Sequence, residues 1–80
     1  MGGRLNMNVR TRPTKPDPMI TKKVNYKVRY IGEMTLSLTP GGIYQCIGEI
    51  IEPPQKGYLG VIDESGDSYV YSPKLFVKVE

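Results

Sequence analysis

Residues 57–79 read GYLGVIDESGDSYVYSPKLFVKV, and this stretch is the most informative about the architecture of the chain. Residues 58–63 and 68–71 are rich in aromatic and β-branched side chains, a composition that favours β-strands. Gly66 lies between them, where a three-residue hairpin loop requires a left-handed backbone. Residues 72–75, Ser-Pro-Lys-Leu, are too few for an α-helix but fit one 3₁₀ turn, and residues 76–79 resume the strand pattern. This order of elements predicts the closing half of a small β-barrel.

The preceding residues continue the all-β pattern. Residues 24–30 alternate apolar with polar side chains, which indicates a half-buried strand. Residues 39–42, Thr-Pro-Gly-Gly, fit a type II turn, residues 43–47 resemble the next strand, and Gly48 is a candidate bulge. We therefore predict a flexible, basic, proline-containing arm at residues 1–21 and an all-β, five-stranded barrel with a single 3₁₀ turn at residues 22–80. The predicted core positions share one face of each strand: Val28, Leu36, Leu38, Tyr44, Cys46, Leu59, Val61, Val70, Leu75 and Val77.

The basic residues are concentrated towards the N-terminus. Residues 1–25 carry six Lys and Arg against one Asp, whereas residues 26–80 carry five against seven Asp and Glu. Three prolines and few large apolar groups indicate that residues 1–21 remain flexible. Residues 10–16, RTRPTKP, also fit the basic-x-x-Pro-x-x-Pro pattern of polyproline ligands, for which a solvated basic linker is the alternative.

The composition lacks the residues that most catalytic and metal sites use. The chain has no histidine, the commonest general base and metal ligand. Cys46, the single cysteine, forms neither an internal disulfide nor a thiolate zinc site, and its apolar neighbours in the sequence indicate a buried, inert thiol. We expect no enzyme, no metal and no cofactor. Because we find no signal peptide and no apolar run near the roughly 18 residues of a membrane span, we also expect a cytoplasmic protein.

Three segments together carry a family resemblance: residues 36–44 (LSLTPGGIY), 57–59 (GYL) and 72–77 (SPKLFV). Their order and spacing resemble the Src-homology-3 domain over residues 26–80. The chain is still more similar to small Src-homology-3-like proteins of unassigned function in Gram-positive bacteria and their phages. The resemblance implies a Src-homology-3-like barrel whose ligand groove falls on Tyr30, Tyr58, Pro73 and Phe76. The chain lacks the groove tryptophan of the family, so a different ligand on the same barrel stays open.

Two classes of function fit the sequence. The first is a non-catalytic protein-binding module, a small adaptor or inhibitor that docks a protein or an extended peptide segment. Its predicted site is an exposed strip of residue types that interfaces favour: Tyr30, Tyr58, Tyr71, Pro73 and Phe76. The basic arm itself is one candidate occupant of this strip, in a monomer or a weak homo-dimer.

The alternative is a nucleic-acid-binding barrel that holds phosphates through basic residues of the arm and its junction with the barrel. These residues are Arg4, Arg10, Arg12, Lys15, Lys22 and Lys23. The net negative charge of residues 26–80 argues against this alternative, because we expect no basic face on the barrel. Neither class requires contact with a membrane.

Overall fold

Five antiparallel strands form one sheet in the computed structural model, which describes residues 14–80. The strands are β1 (Thr21–Tyr30), β2 (Ile43–Ile50), β3 (Leu59–Ile62), β4 (Ser68–Tyr71) and β5 (Phe76–Lys78), and one 3₁₀ turn (Pro73–Leu75) precedes β5. Their order across the sheet is β4-β3-β2-β1-β5. The all-β prediction, the strand number and the single 3₁₀ turn are confirmed. Hydrogen bonds do not close the sheet into a barrel, because β4 and β5 remain its two edges.

The predicted turns form where the sequence places them. Gly66, in the hairpin loop between β3 and β4, has a φ of 89°, and its N–H donates to the carbonyl oxygen of Asp63. Gly41 has a φ of 83° in the turn that Pro40 begins, as a type II turn requires. Ser72 caps the 3₁₀ turn, because its side-chain oxygen accepts a hydrogen bond from the Lys74 N–H.

The core lies on one face of the curved sheet, which we call the inner face. Six of the ten predicted core residues are buried there or beneath the loops: Val28, Leu38, Tyr44, Cys46, Leu59 and Val61. Val70 is also buried, but it pairs with Gly60 and lies on the opposite face, outside the core cluster. Leu75 is half-buried against the core. Leu36 and Val77 contradict the prediction, since their side chains are 102% and 51% exposed. Leu36 lies in the loop between β1 and β2, and Val77 points outward because the 3₁₀ turn shifts the alternation of β5 by one residue.

The opposite, outer face is partly covered by residues 14–20, which we call the strap. The register of β2 shifts between Cys46 and Gly48, which confirms an irregularity at Gly48 and pairs that glycine with Gly60 of β3. Pro16 lies over this pair, 3.1 Å from the position of a Cβ built on Gly60. The strap ends at the free edge of β4, where the Val70 N–H donates to the Thr14 carbonyl oxygen at 2.6 Å. The absence of a side chain on Gly60 therefore lets Pro16 of the strap lie against the sheet.

The prediction of a flexible arm stays a prediction. Its first thirteen residues, including Arg4, Arg10 and Arg12, lie outside the described part of the chain. Residues 14–20 contact the sheet, and β1 begins at Thr21, one residue before the predicted boundary.

Candidate functional site

The predicted aromatic strip is largely part of the core. Tyr30 and Phe76 are only 3% and 7% exposed, and their ring centroids lie 5.5 Å apart. The two residues are Cα partners of β1 and β5 on the inner face, which explains their burial. The Tyr30 hydroxyl donates to the carbonyl oxygen of Glu33, so its polar end is satisfied within the fold. The expectation that Tyr30 and Phe76 are exposed is therefore wrong.

The other three members of the strip lie nearer to solvent. Tyr58 and Tyr71 are half-buried and Pro73 is exposed. The Tyr71 ring meets Phe76 edge-on, with centroids 6.0 Å apart, and its hydroxyl donates to Asp63 Oδ2 at 2.6 Å. Tyr71 is therefore anchored at both ends of its side chain. Ligand binding by Tyr58, Tyr71 and Pro73 stays a prediction.

Asp63 is a buried carboxylate at the start of the hairpin loop between β3 and β4, with 5% of its surface exposed. It accepts hydrogen bonds from the Tyr71 hydroxyl and from both the N–H and the hydroxyl of Ser65. Burial raises the pKa of Asp63, but the bonds from Ser65 and Tyr71 outweigh it and hold the pKa below its usual value. Burial, reinforced by Asp63, raises the pKa of the Tyr71 hydroxyl. The pair stabilises the hairpin by keeping a buried charge hydrogen-bonded.

Glu64, the next residue, ties the same hairpin to the loop before β2. Its Oε2 accepts from the hydroxyls of Thr39 and Tyr44, both at 2.6 Å. These two bonds lower the pKa of Glu64, whereas burial and then Glu64 raise the pKa of Tyr44. The Glu64 N–H also donates to the Ser37 carbonyl oxygen, which fixes the loop. Asp63 and Glu64 therefore both have structural partners.

A buried thiol is the other group of chemical interest among residues 14–80. Cys46 is completely buried, and burial raises the pKa of its thiol, which opposes formation of a nucleophilic thiolate. Every buried side-chain nitrogen and oxygen among residues 14–80 has a hydrogen-bond partner. Within the same residues, no group of three Cys, Asp or Glu side chains is placed to hold a metal ion.

A row of basic side chains follows the outer face of β1. Lys23, Lys27 and Arg29 occupy outward positions, paired with Gly48, Gln45 and Ile43 of β2. Within the five described strands the only acidic residue is Glu49, which accepts a hydrogen bond from Tyr26 and pairs with Lys22 at 3.8 Å. None of the three outward cations forms an ion pair with any of residues 14–80. We name these three residues the basic row.

The basic row corrects one expectation. A basic face exists, although residues 26–80 are net acidic, because all of their acidic side chains except Glu49 lie outside the strands. Phosphate binding by Lys15, Lys22 and Lys23 stays a prediction: Lys22 lies beside Glu49, Lys15 contacts Asp67 at 3.6 Å and the Tyr69 ring at 5.1 Å, and Lys15 and Lys23 line a common cleft. Only Lys23 of that set belongs to the basic row. The alternation of residues 25, 27 and 29 along the predicted strand is the signal that could have revealed this face.

Three exposed apolar side chains surround Arg29 at one end of the outer face. Ile43 of β2 and Val77 of β5 are the two cross-strand neighbours of Arg29, and they are 46% and 51% exposed. Ile31 follows β1, is 54% exposed, and donates its N–H to the Leu75 carbonyl oxygen. We call Ile31, Ile43 and Val77 the apolar patch. Sequence reasoning missed the patch because it assigned Val77 to the core.

The loop that follows Ile31 adds further apolar surface. Met34 is 68% exposed and Leu36 is fully exposed. The loop is nevertheless held in place, since the Thr35 N–H donates to the Leu38 carbonyl oxygen at 2.9 Å and the Leu38 N–H donates to Thr35 Oγ1 at 2.9 Å. Ordered apolar side chains that face solvent are a recurring property of interaction sites.

A cleft lies at the other end of the basic row, between the strap and the sheet. Its volume is about 340 Å³. Pro16 and Pro18 of the strap and Ile47 and Gly48 of β2 provide apolar walls, and Lys23 lies at the cleft. The outer face thus carries, in order along β1, the cleft, the basic row and the apolar patch.

Within residues 14–80, no helix has the length and apolar character needed to cross a membrane. Comparisons of the chain with protein-family models, with curated proteins and with solved structures find no match.

Proposed function

We propose that the chain is a Src-homology-3-like barrel that acts as a non-catalytic protein-binding module. Two features support the barrel: β5 returns beside β1 after four consecutive neighbouring strands, and a single 3₁₀ turn links β4 to β5. One core cluster includes residues from β1, β2, β3 and β5, as expected when a single sheet curls around its own inner face.

The apolar patch is the observation that carries the binding function. Ile31, Ile43 and Val77 are each about half exposed around one arginine; Ile43 and Val77 lie on strands, and Ile31 directly follows β1 with its N–H bonded to Leu75. Burying such side chains against a partner contributes about 25 cal/mol for each Å² removed from water. Arg29 lies at the centre of the patch, and arginine surrounded by apolar groups is a typical composition for the core of an interface.

Nucleic-acid binding is the second candidate function, because the basic row offers three cations without ion pairs in the described chain. Protein binding ranks first for two reasons. Apolar side chains flank the row, and the outward strand positions of the described sheet carry no aromatic ring on which a base stacks.

The test compares two β-branched substitutions on the patch with one elsewhere. Ile43→Thr with Val77→Thr removes apolar surface while keeping strand-compatible side chains, and Ile51→Thr is the control, since Ile51 is 48% exposed outside the patch. We expect the full chain to capture a protein from its source cells after nuclease treatment. Purified, that protein should bind the double variant at least tenfold more weakly and the control within twofold. Equal affinity for the double variant, or no captured protein, would refute the function.

A further inference from the structure

We propose that the partner presents an acidic, extended polypeptide segment that lies along β1 on the outer face, from the apolar patch to the cleft. This inference rests on the proposed protein-binding function and names the chemistry of the partner. It combines three observations: the unpaired charges of the basic row, their spacing, and the apolar sites at both ends.

The charge of the outer face selects an anionic partner. Lys23, Lys27 and Arg29 have no ion-pair partner among residues 14–80, and Arg29 makes only a long bond of 3.3 Å to the Gly41 carbonyl oxygen. Three acidic groups of the body are engaged elsewhere: Asp63 accepts from Tyr71, Glu64 accepts from Thr39 and Tyr44, and Asp67 contacts Lys15. Like charge also excludes the chain's own arm from this surface, because residues 1–13 contain three arginines and no acidic residue.

The spacing of the row favours an extended polypeptide over other anions. Lys27 and Arg29 are two residues apart on a strand, and such side chains are separated by roughly 6.6 Å on one face. A partner in β conformation presents alternate side chains with the same period, so carboxylates two positions apart meet Lys27 and Arg29. Lys23 lies four residues before Lys27, beyond Asn25 and a register irregularity between Lys23 and Tyr26, so the row spans at most about 20 Å, which corresponds to a segment of about seven residues.

The two ends of the row provide apolar anchors for such a segment. The cleft of about 340 Å³ between Pro16, Pro18 and Ile47 accommodates one large apolar side chain at the Lys23 end. The apolar patch receives another at the Arg29 end, where Ile43 and Val77 lie directly across from the arginine. Apolar contacts at both ends, with charges between them, define an acidic segment that begins and ends in an apolar residue.

The test uses a synthetic nonapeptide, Leu-Glu-Ser-Glu-Thr-Glu-Ser-Glu-Leu, titrated into the full chain while backbone amide shifts are recorded. We expect shifts to cluster on β1 and β2, and Lys23→Glu with Lys27→Glu to weaken binding at least tenfold. Replacing every Glu of the peptide by Gln should have the same effect. Lys56→Glu, in the loop before β3, is the control for a charge reversal away from the row and should change affinity less than twofold.

Three results would overturn the inference. They are no clustered shifts at millimolar peptide, equal weakening by the Lys56→Glu control, and tighter binding of a single-stranded oligothymidine of similar length, which would identify the row as a nucleic-acid site. The captured protein separates this inference from the proposed function. One outcome is that this protein binds Lys23→Glu/Lys27→Glu as tightly as the unaltered chain but loses affinity for the patch variant, Ile43→Thr with Val77→Thr. This result would support the protein-binding function and refute the acidic segment.

Discussion

Removing the hydroxyl of Tyr71 tests the structural role of the buried carboxylate beside it. Tyr71→Phe keeps the ring against Phe76, but deletes the bond of 2.6 Å to Asp63, which is 5% exposed. A hydrogen bond to a charged group contributes about 1.5–3 kcal/mol. Because Tyr71 is only half-buried, water replaces part of the lost donor, and we expect a loss near the lower limit, about 1.5 kcal/mol. For a domain of this size the melting temperature then falls by about 6–12 °C.

The pH dependence of this loss identifies its cause. The pKa of Asp63 is lowered in the folded state, so its contribution to stability is present above the unfolded pKa of about 3.9 and is lost as the pH falls through the folded pKa. Deleting one donor raises that folded pKa. The difference in free energy of unfolding between Tyr71→Phe and the unaltered chain should therefore shrink from about pH 7 to about pH 2.5.

Urea unfolding followed by circular dichroism, repeated across this pH range, measures both effects. Tyr69→Phe is the matched control, since the Tyr69 ring lies beneath Lys15 and a hydroxyl is not needed for that contact. We expect the control to cost less than about 0.5 kcal/mol. If Tyr71→Phe costs no more than Tyr69→Phe, or if its deficit is unchanged in acid, the buried bond does not stabilise the hairpin as argued.

Three further predictions concern packing and alkaline pH. Val61→Ala, at a side chain with no exposed surface, should lower the free energy of unfolding by about 1–3 kcal/mol in urea titrations, and a smaller loss would contradict a well-packed core. Gly48→Ala places a Cβ 2.4 Å from the Thr21 methyl group and should lower the free energy of unfolding by about 1–3 kcal/mol. Adding Thr21→Ser to the same chain removes that methyl group and should restore most of the loss. If it does not, this contact is not the cause. Burial and carboxylate partners raise the pKa of Tyr26 and Tyr71. The contribution of these two tyrosines to the free energy of unfolding is therefore complete below the unfolded pKa of about 10 and is lost as the pH rises through the folded pKa values. Urea midpoints that stay constant up to about pH 12 would refute this prediction.

Local signals in the sequence were sufficient for most elements of the fold. The hairpin at residues 63–67 and the turn at residues 39–42 depend on Gly66 and on the Pro40-Gly41 pair, and the required positive φ angles are confirmed. The alternation of β1 correctly predicts that Val28 is buried. These signals work because each depends on neighbouring residues alone.

After an irregularity in the chain, the sequence did not show in the same way which face of the sheet each side chain points to. A shift of one residue in the turn before β5 places Phe76 and Val77 on opposite faces from those expected. Phe76 is therefore buried instead of belonging to the exposed strip, and Val77 belongs to the apolar patch instead of the core. The exposure of Leu36 was not predicted for a similar reason, because Leu36 lies in a loop where no strand partner fixes the direction of its side chain. The error in β5 therefore moved part of the candidate site from Phe76 on the inner face to Val77 on the outer face.

The outer face shows why net charge is a poor guide to the surface of a small sheet protein. Acidic residues serve here as acceptors near turns: Asp63 accepts from donors of the hairpin, Glu64 accepts from the hydroxyls of Thr39 and Tyr44, and these bonds lower the pKa of both. Strand β1 carries Lys27 and Arg29, and alternation directs both side chains to the face opposite the core. A net negative charge over residues 26–80 is thus compatible with the basic row, because Glu49 is the only acidic residue within the described strands. A partner that approaches the outer face of β1 contacts the basic row, whatever the net charge of residues 26–80. This local positive charge is the basis of the acidic segment that we propose.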